Sequence, residues 1–467
     1  MTVKQILKWL RYPPEALTAA NVTWLVSRQA LAKLGYWWLH PQALERLSSC
    51  FPRQNRHWRC KWGSCAILFA QNDSQSFPAL RPAFLLPLQW RPSDKHDPRL
   101  SKAVIELAEQ VKNTLLCSEN SRNSGQDWRL YLDCEAPPEL PLEELAYELH
   151  LSADSGWTWL AAGLLLAKSG ISSDLGSKPL PDPRIWITGE WNEASGIRPV
   201  SLLQAKVTFA AQSGARILFV PESQVGEASG YIPHGCELKI CGLLENQTQP
   251  RRALAPCLEQ LEEAPRDGDP EQRFKDYYFR LAQWSRERAA AYYRNTLVPK
   301  ILSRLRESWS QQRLQLTHLI TILSDNPDLI HLAIESIKPK ECLILATADR
   351  AQVHREGLEK LRKSSDHSCR LRWQCYNSSD ELLREIRFQV REFQRGVNPE
   401  SVGLDLTPGT EEMTLTLALE GTQPGNVLIY LRHTIRDRMV EPFSESWRIF
   451  RASHNNPSSE SPETQDG

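Results

Sequence analysis

The chain has 467 residues, too many for one ordinary hydrophobic core, and this length predicts two or three domains. Its 56 basic and 56 acidic residues cancel, which argues against bulk binding to nucleic acid, an anionic membrane or a cationic substrate. The 11 cysteines lack the spacing of a disulfide framework, which predicts reduced thiols. The N-terminus lacks the apolar core of a signal peptide, and the longest apolar run (160–167) is too short to span a membrane, so a cytoplasmic protein is predicted.

The residue pattern predicts a series of segments along the chain. Residues 1–57 have helical periodicity with many large apolar side chains and suggest no chemistry. Residues 58–244 mix short apolar strands with helices and predict an α+β or α/β domain. Residues 245–271, rich in Gln, Pro, Arg and acidic residues, predict a linker, and the charged, aromatic stretch 272–313 predicts connecting helices.

Residues 314–451 alternate strand patterns with helix patterns, including the helix PDLIHLAIESI from Pro327 to Ile337. The strand patterns are continuous apolar runs, which are typical of a parallel, doubly wound sheet. Residues 452–467 are small and polar and predict a disordered tail. The fold class is therefore predicted as multidomain, with α+β or α/β structure followed by α/β structure.

Three short segments of the middle domain form one pattern when they are taken in order. They are ADSGW around Ser155, ITGEWNEASGIRPV from Ile187 to Val200, and LLQAK ending at Lys206. Alone, a serine between Asp and Gly is usually a turn or a helix cap, and a lysine on an amphipathic helix is usually a solvated surface residue.

In this order the segments resemble the proteolytic domain of the Lon family, within the ribosomal-S5-like superfamily. The resemblance implies a Ser–Lys dyad with Ser155 as the nucleophile, Lys206 as its base and Thr188 orienting the lysine. It also implies that N–H groups at the start of the helix after Ser155 bind the oxyanion. The family has G-P-S-A-G where this chain has ADSGW, so Trp157 is expected to narrow the site, and Ser152 is an alternative nucleophile.

The dyad requires a lysine that is neutral when it takes the proton of the serine. With a pKa near 10.4, only about one lysine in a few thousand is neutral at pH 7. A shift of about three units, or ~4 kcal/mol, makes the neutral and charged forms comparable. Apolar residues beside Lys206 are consistent with such desolvation, namely Leu202, Leu203, Val207 and Phe209.

Two motifs are absent from the sequence. It contains no G-x-x-x-x-G-K-[ST] loop, so no ATPase motor is predicted, and the protease is expected to cut an exposed loop or a dedicated partner. It contains no H-E-x-x-H, and the nearest cysteine pair, Cys60 and Cys65, is interpreted as two thiols. No metal site is predicted.

Two loops in residues 314–451 follow predicted strands, at the edge where ligands bind in open parallel sheets. The first is LSDNP from Leu323 to Pro327. The second, DLTPGTEEM from Asp405 to Met413, bends into a helix, and its small residues would let backbone N–H groups approach phosphate. A simple helix cap is the alternative explanation. The candidate ligand-binding residues are Ser324, Asp325, Asn326, Thr407, Pro408, Gly409, Thr410, Glu411, Met413 and Arg432.

These loops and the alternation resemble the CRISPR-associated Rossmann-fold domains called CARF. The resemblance implies a homodimer that binds a cyclic oligoadenylate activator on its two-fold axis, with cyclic tetra-adenylate as the favoured ring, and no other cofactor. Family members often carry Lys or Arg after the turn, whereas Glu411 and Glu412 stand here and would repel phosphate. Arg432 and His433 are candidates for compensating positive charge.

Together the two resemblances imply a cyclic-oligoadenylate-activated, ATP-independent serine protease of type III CRISPR antiviral defence. Its substrate is expected to be a partner protein encoded nearby, and no duplex nucleic acid or membrane partner is expected. The main alternative is a non-catalytic Lon-fold signalling or regulatory protein. A nuclease effector is disfavoured because no paired acidic and lysine motif occurs outside the sensor, and degradation of the ring by the sensor stays open.

Overall fold

The structure is a computed structural model that describes residues 11–13, 39–42, 60–71, 77–118, 127–133, 143, 146–147, 149–170, 176–324, 326–363, 368–420 and 422–452. The predicted N-terminal helical segment 1–57 and the predicted tail 452–467 fall almost entirely outside these residues. The chain divides into two compact units, Met1–Arg288 and Ala289–Gly467. None of the helices in the described ranges has the length and apolar character that a membrane span requires.

The first unit is built around an antiparallel sheet of three strands, which are β1 (Ser64–Ala70), β2 (Ala83–Pro92) and β3 (Trp128–Leu132). Helix α1 (Lys102–Ser118) packs on helix α2 (Trp157–Ser169), and α2 also packs on β1. Every residue of α2 except Lys168 is buried, because the helix is apolar on all sides and is covered on all sides. It forms the centre of this core.

A second layer of the first unit holds a parallel sheet in the order β4 (Ile185–Ile187), β7 (Ile217–Pro221), β8 (Lys239–Leu243). A hairpin of β5 (Glu190–Asn192) and β6 (Gly196–Arg198) follows β4, and helix α3 (Leu203–Gln212) leads into β7. A short helix, α4 (Val225–Gly230), lies between β7 and β8.

The predicted linker 245–271 differs in the structure, because it contributes to the core of the first unit. It contains helices α5 (Pro250–Ala253) and α6 (Ala255–Leu261), and its buried residues include Leu254, Cys257, Leu258 and Leu261. These residues are spaced at i, i+3, i+4 and i+7, which is the stripe of an amphipathic helix. The polar composition around them concealed this pattern.

The predicted connecting stretch 272–313 is divided between the two units. Its first helix, α7 (Glu271–Trp284), belongs to the first unit and carries Arg280, whose side chain is 1% exposed. The guanidinium binds the Glu262 carboxylate through Nε at 3.0 Å and donates from Nη1 to the Ser177 carbonyl at 2.9 Å. The fully buried Asp276 accepts the Ser177 N–H at 2.7 Å, so charged groups inside the core hold this helix in place.

The second unit begins within a helical run that comprises α8 (Arg286–Tyr292), a π-helical turn (Tyr293–Leu297) and α9 (Val298–Gln311). The sheet that follows has five parallel strands, β9 (His318–Ile322), β10 (Glu341–Thr347), β11 (Arg370–Tyr376), β12 (Val402–Asp405) and β13 (Val427–Arg432). The helices between them are α10 (Pro327–Ile337), α11 (Ala348–Lys363), α12 (Ser379–Gln394) and α13 (Glu411–Glu420).

The strand order of this sheet is β11-β10-β9-β12-β13, so the chain winds outward from β9 in one direction and then from β12 in the other. An antiparallel strand, β16 (Ser446–Arg451), is added beside β13, and a small hairpin of β14 (Ile435–Arg436) and β15 (Met439–Val440) precedes it. The predicted parallel alternation is confirmed, whereas the specific Lon-type and Rossmann-like assignments stay predictions. Strand β16 was not predicted, because only Trp447 among its residues is fully buried.

Candidate active site and ligand-binding edge

Ser155 lies in a 3₁₀ turn, Asp154–Gly156, that runs directly into α2. Its side chain is only 6% exposed. The turn packs tightly on the first sheet, because a Cβ atom at Gly156 would lie 2.6 Å from Cγ1 of Ile67 on β1. The glycine after the candidate nucleophile therefore allows the turn to sit against β1.

Lys206 and Thr188 connect to Ser155 through a short chain of hydrogen bonds. Lys206, on α3, is 3% exposed and donates from Nζ to Thr188 Oγ1 at 3.4 Å. Thr188, fully buried after β4, donates from Oγ1 to the Ser155 carbonyl at 3.4 Å. The fold thus brings together three residues that lie far apart in the sequence, with Thr188 between the other two.

No direct hydrogen bond joins Ser155 Oγ to Lys206 Nζ within the described ranges of the chain. Proton transfer needs these two atoms within hydrogen-bond reach, about 2.6–3.2 Å, and such bonds are often longer in ligand-free active sites. Ser155 and Lys206, the residues of the candidate dyad, are therefore connected through Thr188, while Ser155 Oγ and Lys206 Nζ form no hydrogen bond with each other in the part of the chain that the structure describes.

The electrostatic environment of Lys206 favours the neutral amine. Burial lowers the pKa of Lys206 to about 8, and the nearby Glu190 carboxylate opposes this effect. Among the described residues, no carboxylate forms a salt bridge with its Nζ. At pH 7 a lysine with a pKa of about 8 is neutral roughly one time in ten, several hundredfold more often than an ordinary lysine.

Glu190 is a residue of the site whose role the sequence analysis missed. It begins β5, two residues after Thr188, and its burial and the charge of Asp154 raise its pKa, whereas Lys206 lowers it. The same carboxylate raises the pKa of Lys206. The segment ITGEWNEASGIRPV contains this glutamate, but only the fold shows that its charge acts on the lysine.

We expect reactivity at Ser155 to increase with pH, with a midpoint near the Lys206 pKa of about 8. Glu190→Gln removes a negative charge that favours the ammonium form, so the midpoint should move to lower pH. The rate at which a fluorophosphonate probe labels Ser155 between pH 6 and 10 measures both effects. A flat profile, or a shift to higher pH in Glu190→Gln, would contradict the assignment of Lys206 as the base.

Trp157 and Ser152 lie on either side of the turn that carries Ser155. The Trp157 indole is 1% exposed and stacks on Trp191 of β5, with ring centroids 4.5 Å apart, so it packs between α2 and the hairpin. Ser152, the alternative nucleophile, is exposed and donates to the Asp154 carboxylate at 2.8 Å. Within the described parts of the chain, its hydroxyl bonds to Asp154 and forms no hydrogen bond with Lys206 or Thr188.

Three N–H groups at the start of α2, which were expected to be candidates for binding the oxyanion, donate to carbonyl groups of the chain itself. The Gly156 N–H donates to the Ala153 carbonyl at 2.8 Å, and the Trp157 N–H donates to Asp154. The Thr158 N–H donates to the Gly189 carbonyl at 3.3 Å. The 3₁₀ turn and the β4–β5 connection satisfy these donors internally, which the sequence alone does not reveal.

The first predicted ligand loop lies at the end of β9. Ser324 Oγ accepts the Asn326 N–H at 3.2 Å, and Asn326 Oδ1 accepts the Asp328 N–H at 3.2 Å, which caps α10. Asp325 lies outside the described residues. This loop therefore ends in a capped helix N-terminus at the carboxyl edge of the sheet.

The second predicted loop follows β12, the strand next to β9. Thr407 Oγ1 accepts the Leu431 N–H at 2.7 Å, and Thr410 Oγ1 accepts the Met413 N–H at 3.3 Å. Gly409 has φ +105°, a left-handed conformation that favours glycine, and a Cβ there would lie 3.4 Å from Ile322 at the end of β9. The two loops are thus adjacent.

The other candidate ligand residues occupy different environments. Met413 is 2% exposed and lies in the core of the unit, and Pro408 is also buried. Both residues therefore anchor the loop in the core. Glu411, Glu412 and Arg432 are exposed.

Asp405 is a buried carboxylate beneath the second loop. It is fully buried, accepts the Thr407 N–H at 3.0 Å and accepts the Thr321 hydroxyl at 3.0 Å. Burial raises its pKa to about 6. Its position indicates that it supports the loop, because its side chain has no access to solvent.

A scan against models of protein families finds no match for this chain, and a search of curated proteins finds no similar sequence. The two family resemblances therefore rest on the sequence motifs alone.

Proposed function

We propose that this chain is a ligand-gated, ATP-independent serine protease in which Ser155 is the nucleophile, Lys206 is the base and Thr188 orients the lysine. The observation that carries the proposal is the Lys206 amine, which is buried and, among the described residues, forms no salt bridge with a carboxylate. It donates to Thr188, which in turn donates to the Ser155 carbonyl. A buried lysine that lacks a counter-ion reduces stability, and perturbed pKa values of this kind concentrate at functional sites.

The proposed reaction follows from these roles. Neutral Lys206 takes the Ser155 hydroxyl proton while Oγ attacks the scissile carbonyl carbon, and the resulting ammonium gives its proton to the leaving amine as the C–N bond breaks. Water then attacks the acyl-enzyme ester, with Lys206 again accepting and returning the proton. Thr188 Oγ1 limits the rotation of the lysine side chain because it accepts the Nζ hydrogen bond.

For the second unit, we propose binding of a cyclic oligoadenylate, with cyclic tetra-adenylate as the favoured ring, across a homodimer. The strand order reverses between β9 and β12, and ligands of open parallel sheets bind at such a reversal, outside the carboxyl ends of the strands. The loops at this point supply Ser324, Asn326, Thr407 and Thr410 near the N-termini of α10 and α13, which favour anions. The exposed Arg432 is a candidate for positive charge at the same edge.

The setting that fits these two activities is type III CRISPR antiviral defence in the cytoplasm, with a protein substrate encoded nearby. A non-catalytic signalling or regulatory role is the second candidate. Two observations favour it, namely the missing Ser155–Lys206 hydrogen bond and the internal bonding of the N–H groups of Gly156 and Trp157.

The experiment that tests the proposal uses the purified full chain and the proteins encoded beside its gene, with and without cyclic tetra-adenylate or cyclic hexa-adenylate. We expect ligand-dependent cleavage that disappears in Ser155→Ala and persists in Ser152→Ala. Cleavage that survives in Ser155→Ala would overturn the dyad. Tight ligand binding without cleavage would favour the non-catalytic role.

A further inference from the structure

The helical run at the start of the second unit contains a π-helical turn, Tyr293–Leu297, shortly after the boundary between the units at Arg288. Pro299 explains why the helix widens here, because its ring lacks an N–H and would clash with the carbonyl four residues earlier in a regular α-helix. Single π-helical turns are rare and frequently occur at functional sites. The contacts of this turn indicate what it does.

Two consecutive side chains of the turn bind two different parts of the sheet edge. Tyr293, 4% exposed, donates from Oη to Glu445 Oε1 at 2.7 Å, and Glu445 immediately precedes β16. Arg294 donates from Nε to both carboxylate oxygens of Asp328, at 2.9 and 3.1 Å. Asp328 lies in the first turn of α10, directly after the loop that contains Ser324.

Both contacts lie at the carboxyl edge of the parallel sheet. Helix α10 begins just after β9 ends, so Asp328 is at that edge. The last residue of β13, Arg432, pairs with Ser446, the first residue of β16, so Glu445 is at the same edge. This is the edge that carries the two proposed ligand loops.

The Glu445 contact is only partly satisfied. Its side chain is 8% exposed, and its second oxygen, Oε2, is buried with no hydrogen-bond partner among the described residues. A buried carboxylate with an unpaired oxygen has a higher free energy than a fully bonded one. The Tyr293 hydroxyl therefore bonds only one of the two carboxylate oxygens of Glu445.

We infer that the π-helical turn senses ligand at the carboxyl edge, through the Tyr293–Glu445 bond and the Arg294–Asp328 ion pair, and passes the change into helix α8, which precedes it in the chain. The inference rests on the proposed function for its ligand. Ligand that engages the Ser324 loop shifts the first turn of α10, and Arg294 transfers this shift to the turn. An interruption of regular helical bonding gives the helix a place to change between two arrangements.

A matched pair of arginine variants tests this inference in the full-length protein. Arg294→Ala removes an ion pair at the first turn of α10, whereas Arg306→Ala removes the Arg306–Glu335 pair, 3.0 Å long, near the other end of the same helix. Both arginines are almost equally exposed, at 47% and 42%, so neither change should unfold the unit. Tyr293→Phe is a second variant that removes only the hydroxyl.

The first readout needs no ligand. Hydrogen exchange should become at least about tenfold faster in the Ser324 loop and around Glu445 in Arg294→Ala, and stay within about twofold of wild type at these positions in Arg306→Ala. Exchange that changes only within the π-helical turn itself, or changes equally in both variants, would overturn the inference.

The second readout compares ligand binding with activation. With cyclic tetra-adenylate, Arg294→Ala and Tyr293→Phe should keep affinity within about threefold of wild type, but lose at least about tenfold of the ligand-dependent rise in Ser155 labelling. Full activation of Arg294→Ala would overturn the inference. If wild type binds no cyclic adenylate while the exchange result holds, the proposed ligand is wrong and the coupling stands.

Discussion

Lys206→Met should lower proteolysis and Ser155 labelling by at least about 10³-fold, because it removes the proposed base, which Thr188 connects to Ser155. Methionine has a similar length and is apolar, so it suits the buried position. The loss of activity should therefore not come from a loss of structure.

The free energy of unfolding provides the control for Lys206→Met, because we expect the variant to lose activity but to gain stability. The pKa of Lys206 is about 8 in the folded chain and 10.5 ordinarily, so the unfolded chain binds more protons between these pH values and stability rises with pH across that window. Below pH 8 the buried ammonium lowers stability by up to about 3 kcal/mol, which methionine removes.

Urea unfolding at pH 7 and pH 10 checks this expectation, with hydrogen exchange of the buried strand β7 reporting on the first unit. Lys206→Met should be more stable than wild type at pH 7, and the difference should shrink at pH 10. The exposed Lys239→Met is the matched control and should retain both activity and stability. An active Lys206→Met protein would eliminate the dyad.

Arg280→Ala should destabilise the first unit by about 3–5 kcal/mol, the usual cost of leaving a buried carboxylate without its partner. Arg280 and its partner Glu262 have side chains that are 1% and 9% exposed, and Asp276 is also fully buried nearby. Since the guanidinium also holds the Ser177 carbonyl, helix α7 should separate from the core early in unfolding.

The same urea measurement tests this prediction. Arg288→Ala is the matched control, because Arg288 is 43% exposed in its pair with Glu259, and exposed pairs contribute about 0–1 kcal/mol. The double variant Arg280→Met with Glu262→Leu should recover part of the lost stability, since it removes both buried charges. Equal stability of Arg280→Ala and Arg288→Ala would show that the buried ion pair does not hold α7.

The sequence by itself determined the five parallel strands of the second unit and the helices between them, and helix α10 was predicted with the bounds that the structure has, Pro327 to Ile337. Strands that are buried on both faces must be apolar along their whole length, so their pattern is visible without a structure. The order of Ser155, Thr188 and Lys206 also indicated a single site. What the residue pattern encodes well is local periodicity and residue type.

Only the tertiary structure decided which polar groups are paired. It showed the N–H of Gly156 bonded internally, Glu190 acting on Lys206, Cys257, Leu258 and Leu261 buried in the core, and Tyr293 bonded to Glu445 across 152 positions of the chain. Hydrogen bonding and desolvation depend on distances between segments that are remote in sequence, and periodicity carries no information about those distances. For this reason the residues of the candidate site could be named from the sequence, but their protonation and bonding could not.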